Sequence, residues 1–276
     1  MKILILGASG TVGGAIFRYA SAQYQCWGTY NKNNPADLDP KRMAKWDIAD
    51  TNALKQLLID ISPDIVISSL TGDFETQISA HRYMAEYLQK AGKHMIFIST
   101  ANVFDGATNK PHTESDKPYP VSQYGKFKLE CEQLLQSALK ENCLIIRIPK
   151  IMTRQVADNY IFGEPVYKNL YAGFNTPENV AKAVVKCIQL KKYGILHLSS
   201  HDYMSIDTAC THMGKVGYWY AVKDLTAKAY ATMMNCELDD IQLPCDDNFY
   251  LALQSEDKAF DDFSISCHDI MSIYAG

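Results

Sequence analysis

Short apolar runs rich in β-branched residues alternate with longer amphipathic segments through the first two thirds of the chain. Almost continuous apolar runs are typical of strands covered on both faces of a sheet, and the longer segments have helical spacing. The predicted strands are KILILG, QCWGTY, PDIVISSL, HMIFIST, CLIIRIP and, later, GILHLSS. The predicted helices include TVGGAIFRYASA, TNALKQLLIDI, ETQISAHRYMAEYLQKAG and SQYGKFKLECEQLLQSALKE. This alternation predicts an α/β fold, a Rossmann-like doubly wound parallel sheet with right-handed crossovers.

The regular alternation ends after Pro149. Residues 151–176 show no clear period, the segment PENVAKAVVKCIQLKK predicts a helix opened by proline, and the end of the chain is irregular. We therefore assign residues 1–150 plus 177–200 to a Rossmann domain. Residues 151–176 plus 201–276 are assigned to a small C-terminal cap.

Composition and charge narrow the range of partners. A formal net charge of −4 over 276 residues gives no basic field that would attract nucleic acid or an anionic membrane. The apolar runs fall short of the roughly 18 residues that a membrane span needs, and the N-terminal run is too short for a secretory signal. The eight cysteines are scattered without a Cys-x-x-Cys pair, which predicts free thiols, no metal site and a cytoplasmic location.

A glycine-rich turn joins the first predicted strand to the first predicted helix. In GASGTVGG, the residues Gly7, Gly10 and Gly13 recur at three-residue intervals. The first permits a tight turn, the second permits close approach of a pyrophosphate, and the third lets helix and strand pack closely. Ser9 and Thr11 add hydroxyl donors, and the helix N-terminus offers N–H groups to phosphates. This position favours a dinucleotide site over an incidental glycine turn.

The end of the second predicted strand bears on the choice of dinucleotide. NAD-selective Rossmann proteins carry an acid there, about 20 residues after the glycine turn, that binds the ribose 2′-hydroxyl. Here the sequence is GTYNKN, in which Tyr30 and Lys32 replace any acid and Lys32 suits a 2′-phosphate. We therefore expect NADP(H) to be preferred, with NAD(H) as the alternative. Asp47 is expected either to bind the adenine amino group or to cap a helix.

Three side chains form a candidate catalytic set. Thr100 ends the predicted strand HMIFIST, whereas Tyr124 and Lys128 lie four residues apart on one face of a predicted helix. The alternative is an incidental pair on a solvated helix. Because this architecture binds ligands at the carboxyl edge of the sheet, we expect the three side chains to meet there.

The chemistry of carbonyl reduction accounts for these residue types. Hydride addition to a ketone requires a proton for the developing alkoxide, and a tyrosine can supply it. Half-ionisation of a phenol near neutrality needs its pKa lowered by about three units, roughly 4 kcal/mol. The Lys128 ammonium and an oxidised nicotinamide both favour the phenolate. Thr100, or its neighbour Ser99, would hydrogen-bond and polarise the carbonyl.

With these motifs the chain resembles the extended short-chain dehydrogenases/reductases, in particular their dTDP-4-dehydrorhamnose reductase-like branch of sugar-nucleotide 4-ketoreductases. The motifs GASGTVG, PDIVI, FISTANVFDG, HTESDKPYPVSQYGKFKLECE and NTPENVAKAV carry the resemblance across residues 1–200. The resemblance implies an NAD(P)-binding Rossmann domain, a substrate-binding cap and a homodimer. It also implies that Thr100, Tyr124 and Lys128 are catalytic, with Lys128 holding the nicotinamide ribose beside Tyr124.

The resemblance further implies where the cofactor is bound. It assigns the pyrophosphate loop to Gly7, Ser9, Gly10, Thr11 and Val12, with Gly13 completing the glycine pattern. It assigns the adenine side to Asp47 and Ile48, and it puts Ser68, Ser69 and Leu70 beside the cofactor.

Two departures from the branch keep alternatives open. Relatives carry an acid directly after the catalytic threonine, where this chain has Ala101 and Asn102, and the segment before NTPENV is short. We expect an NAD(P)H-dependent reductase of a keto group on a small molecule, most directly a sugar nucleotide, with Tyr124 as proton donor. The alternatives are a catalytically inactive NAD(P)-binding regulatory subunit, and an epimerase or dehydratase, which the missing acid disfavours.

Overall fold

A computed structural model describes residues 1–159, 166–214 and 222–275 of the chain. Its strands are β1 (Lys2–Leu6), β2 (Gln25–Tyr30), β3 (Met43–Lys45), β4 (Ile65–Ser68), β5 (His94–Thr100), β6 (Cys143–Ile148), β7 (Lys150–Ile151), β8 (Val166–Tyr167), β9 (Leu170–Ala172), β10 (Phe174–Asn175), β11 (Gly194–His197), β12 (Met204–Ser205), β13 (Val222–Lys223) and β14 (Phe249–Leu251). Its α-helices are α1 (Thr11–Ala20), α2 (Thr51–Ile61), α3 (Phe74–Ala91), α4 (Gln123–Leu139), α5 (Arg154–Asn159), α6 (Pro177–Gln189), α7 (Ile206–His212), α8 (Ala227–Met234) and α9 (Cys267–Ile273).

Seven strands form the central sheet, in the order β11-β6-β5-β4-β1-β2-β3. The pairs are parallel, with Ile3 of β1 opposite Cys26 of β2 and opposite Ile65 of β4. Strand β1 lies between β2 and β4, so the direction of winding reverses at its carboxyl end, where doubly wound sheets bind ligands. The Rossmann-like α/β fold predicted from the sequence is therefore confirmed.

Capping residues mark the ends of the helices that connect the strands of this sheet. The carboxylate of Asp50 accepts a hydrogen bond from the Ala53 N–H at 2.8 Å and caps the N-terminus of α2. Asp73 caps α3 in the same way through the Thr76 N–H, also at 2.8 Å. Helix α3 ends at Ala91, and the following Gly92, with a φ of +61°, forms the left-handed cap that glycine favours.

The chain divides into two compact units. The first unit comprises Met1–Ser99, Glu130–Ile146 and Pro177–Ile195, and the second comprises Thr100–Leu129, Arg147–Thr176 and Leu196–Gly276. The sequence-based division kept residues 100–129 in the Rossmann domain, whereas here they group with C-terminal residues. Phe104 packs in a core cluster with Leu253, and Ala107 forms a bridge to Gln242, which accounts for the grouping. Positions 160–165, 215–221 and 276 of the predicted cap lie outside the described residues.

The second unit has its own small sheets and cores. Strand β9 is flanked by β12 and β14, β10 pairs with β7, and β13 pairs with β8. One buried cluster contains residues from α7 and α9, including Cys210 and Ile270, and another gathers around Tyr230 of α8. Within the ranges that the structure describes, no helix is both long enough and apolar enough to cross a bilayer.

Candidate active site

The glycine turn after β1 has a conformation that side chains would disrupt. Gly7 has a φ of +80°, in the left-handed region that favours glycine. A Cβ on Gly7 would also lie 2.6 Å from the carbonyl oxygen of Ser69. The Gly7 N–H donates to Thr29 Oγ1 at 3.0 Å, and the Gly10 N–H donates to the Gly7 carbonyl at 3.0 Å. Backbone geometry and one threonine of β2 therefore fix the turn.

Helix α1 begins directly after this turn with Thr11 and Val12. Its N-cap residue Gly10 makes no side-chain hydrogen bond, and the first turn carries no acidic residue. The first N–H groups and the positive end of the helix dipole can therefore serve an anion. A Cβ on Gly13 would lie 2.3 Å from the Gly7 carbonyl oxygen, so only glycine lets α1 start this close to the turn. These features fit a dinucleotide pyrophosphate.

A cleft of about 270 Å³ opens beside the glycine turn, entirely within the first unit. The predicted cofactor residues that line this glycine-turn cleft are Gly7, Ser9, Gly10, Tyr30, Ile48, Ser69 and Leu70. Its other lining residues are Thr29, Asn31, Trp46 and Thr71, which the sequence analysis did not assign to the site. Each of these four adjoins an assigned residue in the sequence, and that adjacency was the available signal.

Three residues assigned to the cofactor have other partners or surroundings. Ser68 is fully buried, and its Oγ lies 2.8 Å from Nε2 of His81. The Asp47 carboxylate accepts the Ala49 N–H at 3.0 Å, so it caps a turn, which is close to the alternative considered for it. Lys32 is exposed at the end of β2.

The six residues that follow β2 in the sequence include no acid. The first acidic residue after β2 is Asp37, which pairs with Arg18 at 2.7 Å. Lys32 follows Asn31, which lines the glycine-turn cleft. The preference for NADP(H) over NAD(H) stays a prediction.

The second unit brings together the predicted Thr100 and Tyr124. Thr100 is the last residue of β5, is 8% exposed, and its hydroxyl hydrogen-bonds to the phenol of Tyr124. Thr100 Oγ1 also donates to Asn102 Oδ1 at 3.0 Å. Ser99, the alternative hydroxyl, donates instead to the buried Glu132 at 2.5 Å. Thr100 is therefore the hydroxyl that contacts the tyrosine.

Lys128 lies one turn after Tyr124 on α4. The lysine is 5% exposed, and its Nζ lies 6.0 Å from the centroid of the Tyr124 ring and 5.6 Å from that of Phe127. A cation this close to an aromatic ring is attracted to its face. Tyr124 itself is 41% exposed, so a small molecule can reach it. We call Thr100, Tyr124 and Lys128 the Thr–Tyr–Lys group.

The titration of Tyr124 differs from the expectation drawn from the sequence. Although 41% of the residue is exposed, neighbouring protein atoms desolvate the phenol and raise its pKa above the ordinary value, and the Thr100 hydrogen bond acts in the opposite direction. The net shift is upward, not downward, because the loss of solvation outweighs the Thr100 hydrogen bond. The phenol is therefore protonated at neutral pH, which is the form that a proton donor requires.

A doubly wound parallel sheet with this glycine turn is the architecture of dinucleotide-binding Rossmann proteins, among them the extended short-chain dehydrogenases/reductases. Residues 1–163 match the family described as the RmlD substrate binding domain. Because this match covers more than half of the 276 residues, the chain belongs to that family. The branch that the sequence motifs indicated is thereby confirmed.

The chain is also similar to individual curated proteins and solved structures. Methionine adenosyltransferase 2 subunit beta from Mus musculus is 30% identical over 247 residues, covering 76% of this chain and 70% of the relative. A dTDP-4-dehydrorhamnose reductase from Clostridium acetobutylicum has a TM-score of 0.75 and 21% identity, covering 99% of this chain and 98% of the other. The dTDP-4-dehydrorhamnose reductase from Bacillus anthracis, in complex with NADP, has a TM-score of 0.73 and 17% identity, with 99% and 96% covered. The two structures show that the fold is shared.

Proposed function

We propose that this protein is an NAD(P)H-dependent reductase of a keto group, with a sugar nucleotide as its substrate class. The Thr–Tyr–Lys group carries the proposal: a protonated phenol hydrogen-bonds to a threonine hydroxyl, and a buried ammonium lies 6.0 Å from its ring. Membership of the RmlD family supports an oxidoreductase. The similarity to two dTDP-4-dehydrorhamnose reductases supports a nucleotide sugar as substrate.

Each group of residues has a role in this reaction. The glycine turn and the N-terminus of α1 hold the cofactor pyrophosphate. A reduced nicotinamide, when bound, supplies the hydride that the carbonyl carbon accepts. Tyr124 gives its proton to the carbonyl oxygen as negative charge develops there, and Lys128 stabilises the phenolate that remains. Thr100 orients the phenol through their hydrogen bond.

A second candidate is a cofactor-binding subunit of another enzyme, without turnover of its own. The mouse relative is by its name a subunit of methionine adenosyltransferase 2. Thr100 donates its hydroxyl proton to Asn102, and Ala101 offers no carboxylate beside it. The Thr100 hydroxyl is thus already hydrogen-bonded within the protein. This arrangement is as compatible with a protein that keeps the fold without catalysis as with an active enzyme.

Fluorescence titration with NADPH and NADH, followed by a panel of 4-keto sugar nucleotides and simple ketones, separates the two candidates. The reductase predicts saturable binding and substrate-dependent loss of the reduced nicotinamide signal. Binding without consumption across the panel would favour the subunit, as would co-elution with a methionine adenosyltransferase catalytic chain in gel filtration. The homodimer expected by resemblance stays a prediction, which light scattering on the same sample tests.

A further inference from the structure

Asp105 lies at the start of the loop that leads from β5 to the catalytic helix α4. Its side chain is fully buried. Its Oδ1 accepts hydrogen bonds from the N–H groups of Val121 at 2.7 Å and Ser122 at 3.2 Å, and its Oδ2 accepts the Ser122 hydroxyl. One carboxylate therefore receives three donors from the two residues that immediately precede α4.

Ser122 connects the Asp105 carboxylate to helix α4 by a further hydrogen bond. Its Oγ accepts the Gly125 N–H at 3.0 Å, so Ser122 is the side-chain cap of α4. Tyr124 is the second residue of that helix. The hydrogen-bond chain from Asp105 through Ser122 to Gly125 therefore spans the residues on either side of the proton donor.

Close backbone packing holds the same turn from the other side. A Cβ on Gly125 would lie 2.3 Å from the Asn102 carbonyl oxygen and 3.0 Å from Asp105 Oδ2. Asn102 is the residue that accepts the Thr100 hydroxyl. The start of α4 is thus seated directly on the loop that also orients Thr100.

A residue of helix α8 also contacts Asp105, through the backbone. The Tyr230 hydroxyl donates to the carbonyl oxygen of Asp105 at 2.7 Å, and the tyrosine is fully buried. Its ring stacks on Phe249 of β14, with centroids 5.2 Å apart and planes at 25°. Helix α8 is itself capped by the Thr226 hydroxyl, which accepts the Ala229 N–H. Tyr230 therefore fixes the backbone of Asp105 from a point 125 residues along the chain.

From these contacts we infer that Asp105 and Tyr230 are positioning residues that set the location of the Tyr124 phenol relative to Thr100. The inference rests on the proposed reductase function. A carboxylate suits this position because it only accepts hydrogen bonds and three donors converge on it. The NH₂ group of an asparagine would face the Ser122 hydroxyl, which would have to accept instead of donate and would lose a charge-assisted hydrogen bond. Its negative charge at the start of α4 also suits the helix dipole.

Steady-state kinetics and NADPH titration of Asp105→Asn and Tyr230→Phe test the inference. We expect kcat to fall about tenfold in Asp105→Asn, because a displaced reacting group reduces the rate steeply. We expect a fall of about fivefold in Tyr230→Phe, the effect of one lost neutral hydrogen bond. The NADPH dissociation constant should change less than about twofold, since neither residue lines the glycine-turn cleft within the described chain.

Two matched controls separate positioning from general stability. Asp116→Asn removes another loop carboxylate that accepts a backbone N–H, that of Thr113 at 2.9 Å. Tyr274→Phe removes another buried hydroxyl that donates to a carbonyl oxygen, that of Met152 at 2.8 Å. Both controls should keep the parental kcat. In a Tyr124→Phe background, Asp105→Asn should give no further loss, because it acts through the missing hydroxyl.

Hydrogen exchange gives a readout that does not depend on turnover. Both variants should speed amide exchange at Val121, Ser122 and Gly125, whereas the controls should not. Unchanged exchange at these amides would overturn the inference, as would an additive loss in the Tyr124→Phe background or a kcat equal to that of the controls. If the parent protein turns over no carbonyl compound, the proposed function fails, and faster exchange in the two variants still supports the positioning of α4.

Discussion

The two compact units differ in what forms their candidate sites, which is mainly backbone in the first unit and mainly side chains in the second. In the first unit, the glycine-turn cleft is made largely of backbone: Gly7 adopts a positive φ, and Gly13 leaves room where a Cβ would lie 2.3 Å from a carbonyl oxygen. In the second unit, the Thr–Tyr–Lys group consists of side chains, and the side chains of Asp105 and Ser122 hold the backbone at the start of the helix that carries Tyr124 and Lys128.

This difference decides which substitutions each unit tolerates. A backbone-built site depends on residues that lack a side chain, so adding a single methyl group disrupts it. A side-chain site depends on donors and acceptors, so removing a hydroxyl or a charge disrupts it without a change of volume. We therefore expect steric substitutions to have their largest effects in the first unit and isosteric polar substitutions to have theirs in the second.

The largest expected effect on stability is that of Gly13→Ala. The new Cβ would lie 2.3 Å from the Gly7 carbonyl oxygen, and both groups belong to backbone that cannot rotate away. We expect a loss of about 3 kcal/mol in unfolding free energy, the upper end of overpacking costs. NADPH affinity should fall at least about 100-fold by fluorescence titration, since α1 must move from the phosphate position.

Gly14→Ala on the same helix is the matched control. Its Cβ would lie 3.1 Å from the Ala8 carbonyl oxygen, a contact that a small shift relieves. Unfolding free energy should stay within about 1 kcal/mol of the parent, because helix propensity favours alanine. Equal affinity and stability in the Gly13 and Gly14 variants would contradict the backbone account of the cleft.

Acid should destabilise the second unit through His197. The imidazole is fully buried, its Nδ1 lies 3.2 Å and 3.1 Å from the carbonyl oxygens of His112 and Gln254, and its Nε2 lies 3.3 Å from Arg147 Nη1. Burial lowers the pKa of His197 to about 4; the nearby Glu114 opposes the shift and the Arg147 guanidinium adds to it.

The sign of the pH effect follows from this lowered pKa. Between pH 6.5 and about pH 4 the unfolded chain binds a proton at this histidine that the folded chain does not. The stabilisation is therefore fully present above pH 6.5 and is lost as the pH falls towards 4, by about 3 kcal/mol. Denaturant unfolding across this range should show the loss in the parent and a weaker pH dependence in His197→Gln. His212→Gln, at an exposed position, should keep the parental dependence.

The smallest expected effect concerns cofactor choice. Lys32→Ala should weaken NADPH binding by about three- to tenfold, the contribution of one exposed charge to a phosphate, and leave NADH binding unchanged. Lys41→Ala, which removes another exposed lysine nearby, should alter neither affinity. Equal losses for NADPH and NADH in Lys32→Ala would remove the basis for an NADP preference.

The sequence predicted the central sheet well because its signals are local. Continuous apolar runs indicated β1, β2, β4, β5, β6 and β11, and three glycines at fixed spacing indicated the turn. It missed the two- and three-residue strands of the second unit, which are too short for a hydrophobic period. It placed Thr100, Tyr124 and Lys128 by motif, and the structure brings the first two into contact.

The contacts that hold the start of helix α4 were not predictable from local pattern. Asp105 and Ser122 are 17 residues apart, and Tyr230 is 125 residues from Asp105. Such contacts form only when the chain is folded, so neither periodicity nor spacing indicates them. Burial in the folded protein likewise raised the pKa of Tyr124, whereas the sequence indicated only neighbours that would lower it.

The most direct test of the proposed reductase compares turnover in the parent, Tyr124→Phe and Tyr119→Phe. Tyr119 is 40% exposed and Tyr124 is 41% exposed, so the two variants remove equally accessible hydroxyls five positions apart. We predict that Tyr124→Phe lowers kcat by about 1,000-fold, within the range for loss of a general acid. NADPH affinity in that variant, and kcat in Tyr119→Phe, should match the parent. Substrate-dependent NADPH oxidation that persists in Tyr124→Phe would contradict the account.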